Sequence, residues 1–124
     1  MAGKVSAAAA GKLAHIELLQ KKLQNVHGLV EQFAAAKVNQ NVLCQPIQRG
    51  LTGLKREFMG AGLDALCQTA GALAIAAGRG TAPQTKARIL REGVGSLRFQ
   101  LEMEQRAIVA EDEAKQADKD AKHG

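Results

Sequence analysis

Apolar residues recur at intervals of three and four along most of this chain, a spacing that predicts helices packed in a bundle. The first stripe has successive spacings of 3, 4, 3, 4 and 3, and its members are Ile16, Leu19, Leu23, Val26, Val30 and Phe33. Leu13 and Leu29 widen the stripe, which favours a bundle over an isolated two-stranded coil. The helix is expected to begin near Leu13 and to fade in the Asn- and Gln-containing run 34–41.

A second stripe changes phase halfway along its length. It begins beside Pro46, which suits the first turn of a helix because its missing N–H is harmless there. Its first members are Ile47, Leu51, Leu54 and Phe58, and its later members are Leu63, Leu66, Ala70, Leu73 and Ala77. Phe58 and Leu63 are five residues apart, with Gly60 and Gly62 between them. We therefore expect a kink or a break near Gly60, giving either three or four helices in all.

The third stripe follows the glycine-containing run 78–81, with Thr81 or Thr85 as a cap and Pro83 in the first turn. Its members are Ala87, Leu90, Val94, Leu97, Leu101 and Ile108. No stretch alternates as a strand does. The pattern predicts an all-α fold, an antiparallel bundle of the four-helix type over residues 12–110. Residues 1–11 are expected to form a flexible N-terminus, and residues 111–124 a charged flexible tail.

Large side chains are scarce. The chain has 124 residues, enough for one small domain, and its apolar fraction of 46% is mostly alanine and leucine. There is no Trp or Tyr, and there are only three Phe. A small domain buries a low fraction of its surface, so a monomer would have a thin core. We therefore expect the bundle to assemble into a homo-oligomer.

The formal net charge of +5 is unevenly distributed. Residues 37–98 carry nine Lys or Arg against three acidic residues, whereas residues 99–124 are net acidic. A basic middle indicates a polyanionic partner, either nucleic acid or anionic lipid, and the alternative is a soluble helical protein with ordinary charged faces. The apolar run 70–77 is too short to cross a bilayer, so we expect a cytoplasmic protein with no membrane partner and two free thiols, Cys44 and Cys67.

Side chains capable of catalysis are scattered. His15 and His27 are twelve residues apart without nearby cysteine or acidic partners, and His123 lies in the tail. This arrangement predicts neither a metal site nor a cofactor. Ser96 has no histidine at a suggestive spacing, and the carboxylates of the basic middle are isolated. We therefore do not expect an enzyme.

The clearest candidate site is a row of arginines on the third-stripe helix. Spacings of 3, 4 and 3 place four residues on one face, and they are Arg88, Arg91, Gly95 and Arg98. Arg79 and Lys86 lie upstream, near the helix N-terminus, where anions are favoured. A second basic cluster comprises Arg49, Lys55 and Arg56. With no aromatic residue interleaved, contacts to RNA or DNA would be made mainly to phosphates.

Two alternatives remain open for this helix. In one, the arginines only pair with Glu92 and Glu102 along the helix surface, each pair contributing tenths of a kcal/mol. In the other, they bind a polyanion. A separate question is why this helix contains glycine at all, because glycine costs a helix roughly 1 kcal/mol relative to alanine. Gly93 and Gly95 lie in its middle, beside Ser96. We expect these three small residues to let another helix, from the same chain or a neighbour, pack closely.

Two short motifs resemble a bacterial four-helix-bundle superfamily. That superfamily contains proteins encoded in intervening sequences of large-subunit ribosomal RNA genes and the accessory variability determinant of diversity-generating retroelements. Ile75, Ala76 and Gly78 match its N-I-A-E-G-like motif, in which Ala74 and Ala77 replace the Asn and Glu. A second motif matches at Gly95, Ser96 and Leu97, and "GxxxLRFxL" over 93–101 is similar to the retroelement protein.

The resemblance implies a small basic bundle, often a pentamer, which in the retroelement case binds RNA and a reverse transcriptase. Together with the arginines, it suggests a non-enzymatic accessory protein that binds the phosphate backbone of RNA or DNA. The alternative is a structural helical scaffold or adaptor that binds partner helices without nucleic acid.

Overall fold

The computed structural model describes residues 5–123, with side chains described for residues 5–119. It contains four α-helices: α1 (Ala7–Ala35), α2 (Cys44–Gly60), α3 (Asp64–Gly78) and α4 (Pro83–His123). A short 3₁₀ turn, Gln40–Leu43, precedes α2. No strand occurs within residues 5–123. The predicted all-α class is confirmed, and the four-helix alternative is the one that forms.

The helices form a ring in which each packs mainly against two neighbours. α1 lies between α2 and α4, and α3 also lies between α2 and α4. Side-chain contacts fix the directions: Lys22 of α1 pairs with Glu57 of α2, and Glu31 of α1 pairs with Arg91 of α4. Early residues of one helix therefore meet late residues of the next. This is the antiparallel bundle that the sequence pattern predicts.

The core consists of the predicted stripes. Every member of the first stripe, from Ile16 to Phe33, is buried. The second and third stripes contribute most of the remaining core, including Phe58, Leu90 and Leu101. Phe33 and Phe58 are the largest side chains that are fully enclosed. Periodicity of 3.6 residues thus identifies the buried face of all four helices.

The predicted break in the second stripe lies between α2 and α3. The N–H of Ala61 still bonds to the carbonyl of Glu57, but Gly62 has a positive φ of 74°. Glycine reaches this conformation without the Cβ penalty of other residues. Leu63 then leaves the helical region with ψ at 75°, and α3 begins at Asp64. The two glycines in the sequence therefore mark a real change of helix direction.

The first and last helices extend beyond the boundaries expected at residues 12 and 110. α1 begins at Ala7, where Ser6 Oγ accepts a hydrogen bond from the N–H of Ala9 as an N-cap. α4 continues to His123, and Asp112 within it is 8% exposed. Its carboxylate accepts hydrogen bonds from Ser6 N–H at 3.0 Å and Ser6 Oγ at 2.6 Å. One serine therefore caps α1 and ties it to α4. The segments predicted to be flexible are 1–11 and 111–124, and of these residues 1–4 and 124 lie outside the described part of the chain.

This connection predicts a dependence of stability on pH. Hydrogen bonds from the Ser6 side chain, and then from its backbone, lower the pKa of Asp112 below its ordinary value of 3.8. The charged carboxylate therefore stabilises the fold above the unfolded pKa, and this contribution is lost as pH falls through the folded pKa. We expect the melting temperature of the wild type to fall more steeply below about pH 4 than that of Asp112→Asn.

Thermal unfolding of both proteins at pH values from about 7 down to 3 measures this difference. Glu31 and Glu111 also have lowered pKa values, because they accept hydrogen bonds from Arg91 and Lys115. Both residues are present in the wild type and in the variant, so their contributions cancel in the difference between the two melting temperatures. A gap in melting temperature that stays constant across the series would contradict the assignment.

Candidate binding surfaces

The arginines of α4 face the neighbouring helix α1. Arg91 donates two hydrogen bonds to the Glu31 carboxylate, from Nε at 3.0 Å and from Nη2 at 2.7 Å. Both side chains remain largely exposed, so the pair contributes little to stability. The hydrogen bonds and the positive charge of Arg91 lower the pKa of Glu31 below its ordinary value. The ion pair described on this face is thus between helices rather than along α4.

The remaining arginines of the row are more available. Arg98 Nη2 lies 3.5 Å from Gln24 Oε1 on α1, at the outer limit of a hydrogen bond. Arg88 is exposed, and the described residues give it no hydrogen-bond or ion-pair partner. Arg88, Arg91 and Arg98, with Glu31 and Gln24, define what we call the arginine face.

Bare backbone lies at the centre of the arginine face. A Cβ added at Gly95 would meet no atom within 4 Å, and the same holds for Gly28 on α1. Contacts from Glu31 to Arg91 and from Gln24 to Arg98 set the register of the two antiparallel helices. That register places Gly28 at the level of Gly95. The two glycines therefore leave a shallow depression in the surface between the guanidinium groups of Arg91 and Arg98.

The other small residues of this stretch have different surroundings. A Cβ at Gly93 would lie 2.1 Å from Leu73 Cδ2, so the glycine allows close approach of α3. Ser96 is exposed, and its Oγ accepts a hydrogen bond from Gln100 Nε2 at 3.0 Å within α4. Of the predicted packing residues, Gly93 contacts a helix of the same chain, whereas Gly95 and Ser96 face outward.

Lys86 is not on the surface. Its side chain is 6% exposed, and its Nζ lies 3.6 Å from Cys44 Sγ. Lys86 precedes Leu90 by four residues, so it lies on the buried side of α4. This spacing was available in the sequence, and it distinguishes Lys86 from the arginine row. A phosphate backbone running along the surface would not reach this ammonium.

The second basic cluster lies on another side of the bundle. Arg49 and Arg56 are exposed and seven residues apart on α2, which packs mainly against α1 and α3. Lys55 turns toward α3, where its Cδ lies 3.3 Å from the position of a Cβ at Gly71. Arg79 is exposed just after α3 ends. The predicted basic residues therefore do not form one continuous surface.

A mainly apolar surface, which the sequence analysis missed, covers the outer side of α3 and α4, with exposed Glu92 within its α4 row. We call it the α3–α4 face: Ala65, Ala72, Ile75, Ala76, Ile89, Ser96, Phe99, Met103 and Ala107. Phe99 is 61% exposed and Ile75 is 58% exposed. Ala65, Phe99, Met103 and Ala107 line an open groove of about 530 Å³, together with the acidic residues Asp64 and Glu104. Two features of the sequence could have indicated this surface. Phe99 lies outside the third apolar stripe, and Asp64 is the one charged residue of α3.

The described residues offer no site for a metal ion. Within residues 5–119, no group of three or more His, Cys, Asp and Glu side chains is close enough to hold one. None of the helices in the described part of the chain is both long enough and apolar enough to cross a bilayer. Comparison with protein-family models, with curated proteins and with solved structures gives no match.

Proposed function

We propose that this protein is a non-enzymatic helical scaffold that works by helix docking through the α3–α4 face. The supporting observation is the exposure of Phe99, Ile75 and Met103 on a mainly apolar face, whose charged neighbours are Asp64, Glu92 and Glu104. The largest apolar patch on a soluble protein is often functional, and association with a partner is a common use of it. It corresponds to the scaffold alternative that the sequence left open.

The occupant that we propose is a second copy of the chain. A mainly apolar face can pair with its own copy, because a two-fold axis lets one surface serve both partners. The face runs from Ile89 to Ala107, roughly 27 Å at 1.5 Å per residue, and is about 18 Å wide across two helices. Pairing two copies would bury about 1,000 Å² in total, which is near the lower limit for a specific interface.

Replacing Met103 with glutamate should convert the oligomer to a monomer, because a charge would be buried without a partner. The matched control is Met59→Glu, since Met59 is also a methionine, is 59% exposed and lies on α2 outside the face. Light scattering over a micromolar concentration series measures the effect. A folded wild-type monomer throughout, or an equal effect of both substitutions, would overturn the proposal.

A second candidate function is polyanion binding by the arginine face, as the sequence analysis expected. The bare backbone at Gly95 favours it, because a phosphate chain can approach closely between Arg91 and Arg98. Contacts there would be to phosphates and would discriminate little between sequences. RNA and a reverse transcriptase enter as partners only through the family resemblance.

Changing Arg88, Arg91 and Arg98 to glutamine should preserve helix content, because Gln is nearly as good a helix former as Arg. Losing three phosphate contacts should flatten the plot of log affinity against log salt by roughly 2–3 units. The control is the Arg49→Gln, Arg56→Gln double variant, which should leave the slope unchanged. Binding of a homopolymeric RNA and of single-stranded DNA at several salt concentrations measures both.

A further variant tests whether Arg91 itself takes part. Glu31 accepts from two of the five N–H donors of Arg91, so Glu31→Gln removes the competing carboxylate and should tighten polyanion binding. Gly95→Leu should weaken binding by covering the bare backbone. If neither substitution changes the affinity and the triple Gln variant keeps its salt slope, the arginines are only a solvated face.

A further inference from the structure

The buried ammonium of Lys86 has an unusual partner. Lys86 is 6% exposed, and within the described residues its one polar contact is Cys44 Sγ, at 3.6 Å. A buried charge is expensive unless it is paired with an opposite charge or with good acceptors. A neutral thiol is a weak acceptor, whereas an anionic sulfur or a sulfur-bound oxygen anion satisfies an ammonium well. Lys86 therefore places a positive charge in direct contact with Cys44 Sγ.

Cys67 provides a comparison inside the same chain. Both cysteines are free, both are half-buried, and both lie in the first turn of a helix, Cys44 opening α2 and Cys67 following Asp64 in α3. Both also pack against the edge of the hydrophobic core. Cys44 Sγ accepts a hydrogen bond from an ammonium, whereas the described residues make no hydrogen bond to Cys67 Sγ. Comparing the reactivity of the two thiols therefore tests the influence of Lys86.

We propose that Cys44 is the reactive thiol of this protein, a modification site for peroxides and other small electrophiles, with Lys86 as its positioning residue. The sulfur anion attacks one oxygen of hydrogen peroxide, so that an S–O bond forms as the O–O bond breaks. The sulfur is oxidised by two electrons, and the leaving hydroxide takes the proton that remains on the sulfur-bound oxygen, giving water and a sulfenate. The resulting sulfenate oxygen then accepts a hydrogen bond from the Lys86 ammonium.

Competitive labelling of the folded full chain with iodoacetamide at neutral pH tests the proposal. Peptide mass spectrometry gives the rate at each cysteine, and the guanidinium-unfolded chain supplies the intrinsic ratio of the two rates. In the folded wild type we expect Cys44 to react at least about tenfold faster than Cys67 after this correction. A peroxide arm, in which a dimedone adduct reports sulfenate, should give the same order of reactivity.

Two substitutions assign the effect to the ammonium. Lys86→Met keeps an apolar stem of similar length and should bring the corrected ratio close to one, whereas Lys86→Arg keeps the charge and should retain most of the preference. Circular dichroism confirms that each variant is folded. A corrected ratio near one in the folded wild type overturns the proposal without any variant, and so does a ratio that Lys86→Met leaves unchanged.

Discussion

Replacing Phe58 with alanine should lower the free energy of unfolding by about 3–5 kcal/mol, the range seen when a buried aromatic is truncated and its cavity only partly closes. Phe58 is fully enclosed, and it lies two residues before α2 ends and the chain reverses into α3. A domain of this size is stabilised by only about 5–15 kcal/mol in total. The substitution should therefore remove a large part of its stability.

Phe99→Ala is the matched control, because it deletes the same side chain from a position that is 61% exposed. We expect it to change the stability of the dilute monomer by less than about 0.5 kcal/mol. Urea unfolding at low and at high protein concentration measures both quantities. If the α3–α4 face associates, Phe99→Ala should abolish the dependence of the midpoint on concentration, whereas Phe58→Ala should keep it. Equal losses of stability would contradict the burial assigned to these residues.

The fold was predictable from the sequence because its signals are local. The stripe from Ile16 to Phe33 defines the buried face of α1, and Pro83 opens α4 as expected. The two glycines after Phe58 correctly indicated a break, although they did not decide between a kink and a turn. The extra length of α1 depends on a distant partner. Ser6, which caps α1, donates two hydrogen bonds to the carboxylate of Asp112, 106 residues away.

The candidate surfaces were predictable only in part, because they depend on how helices sit side by side. The sequence places Arg88, Arg91 and Arg98 on one face of α4, but it does not identify Glu31, sixty residues away, as the partner of Arg91. It likewise separates Lys86 from the arginines only when the spacing to Leu90 is considered. The contact between Lys86 and Cys44 joins two helices and has no signal in either one.

The two proposed surfaces use opposite flanks of the same helix. Arg91 and Arg98 meet α1 on one flank of α4, whereas Gly93 and Gln100 meet α3 on the other, through Leu73 and Thr69. Ile89, Ser96 and Met103 follow at intervals of seven beside the α3 contact. Self-association and polyanion binding can therefore be separated by substitution, since a charge placed at Met103 does not touch the arginine face.

The glycines of α4 provide the sharpest test of its packing. Gly93→Ala should destabilise the fold, because the new Cβ would lie 2.1, 2.5 and 2.7 Å from Leu73 Cδ2, Cδ1 and Cγ. Leu73 is itself 6% exposed and has little room to move away. Overpacking of this kind typically costs about 1–3 kcal/mol, which outweighs the gain of about 1 kcal/mol from replacing glycine in a helix.

Gly95→Ala makes the same chemical change two residues further along the same helix, where a Cβ would meet nothing within 4 Å. Only the helix-propensity gain remains, so this variant should be more stable than the wild type by about 1 kcal/mol. The two melting temperatures should therefore shift in opposite directions. Leu73→Ala should rescue part of the Gly93→Ala loss, with a coupling of about 0.5–3 kcal/mol in the double-mutant cycle. A Gly93→Ala protein as stable as Gly95→Ala would mean that α3 and α4 lie further apart in solution than the close contact at Leu73 requires.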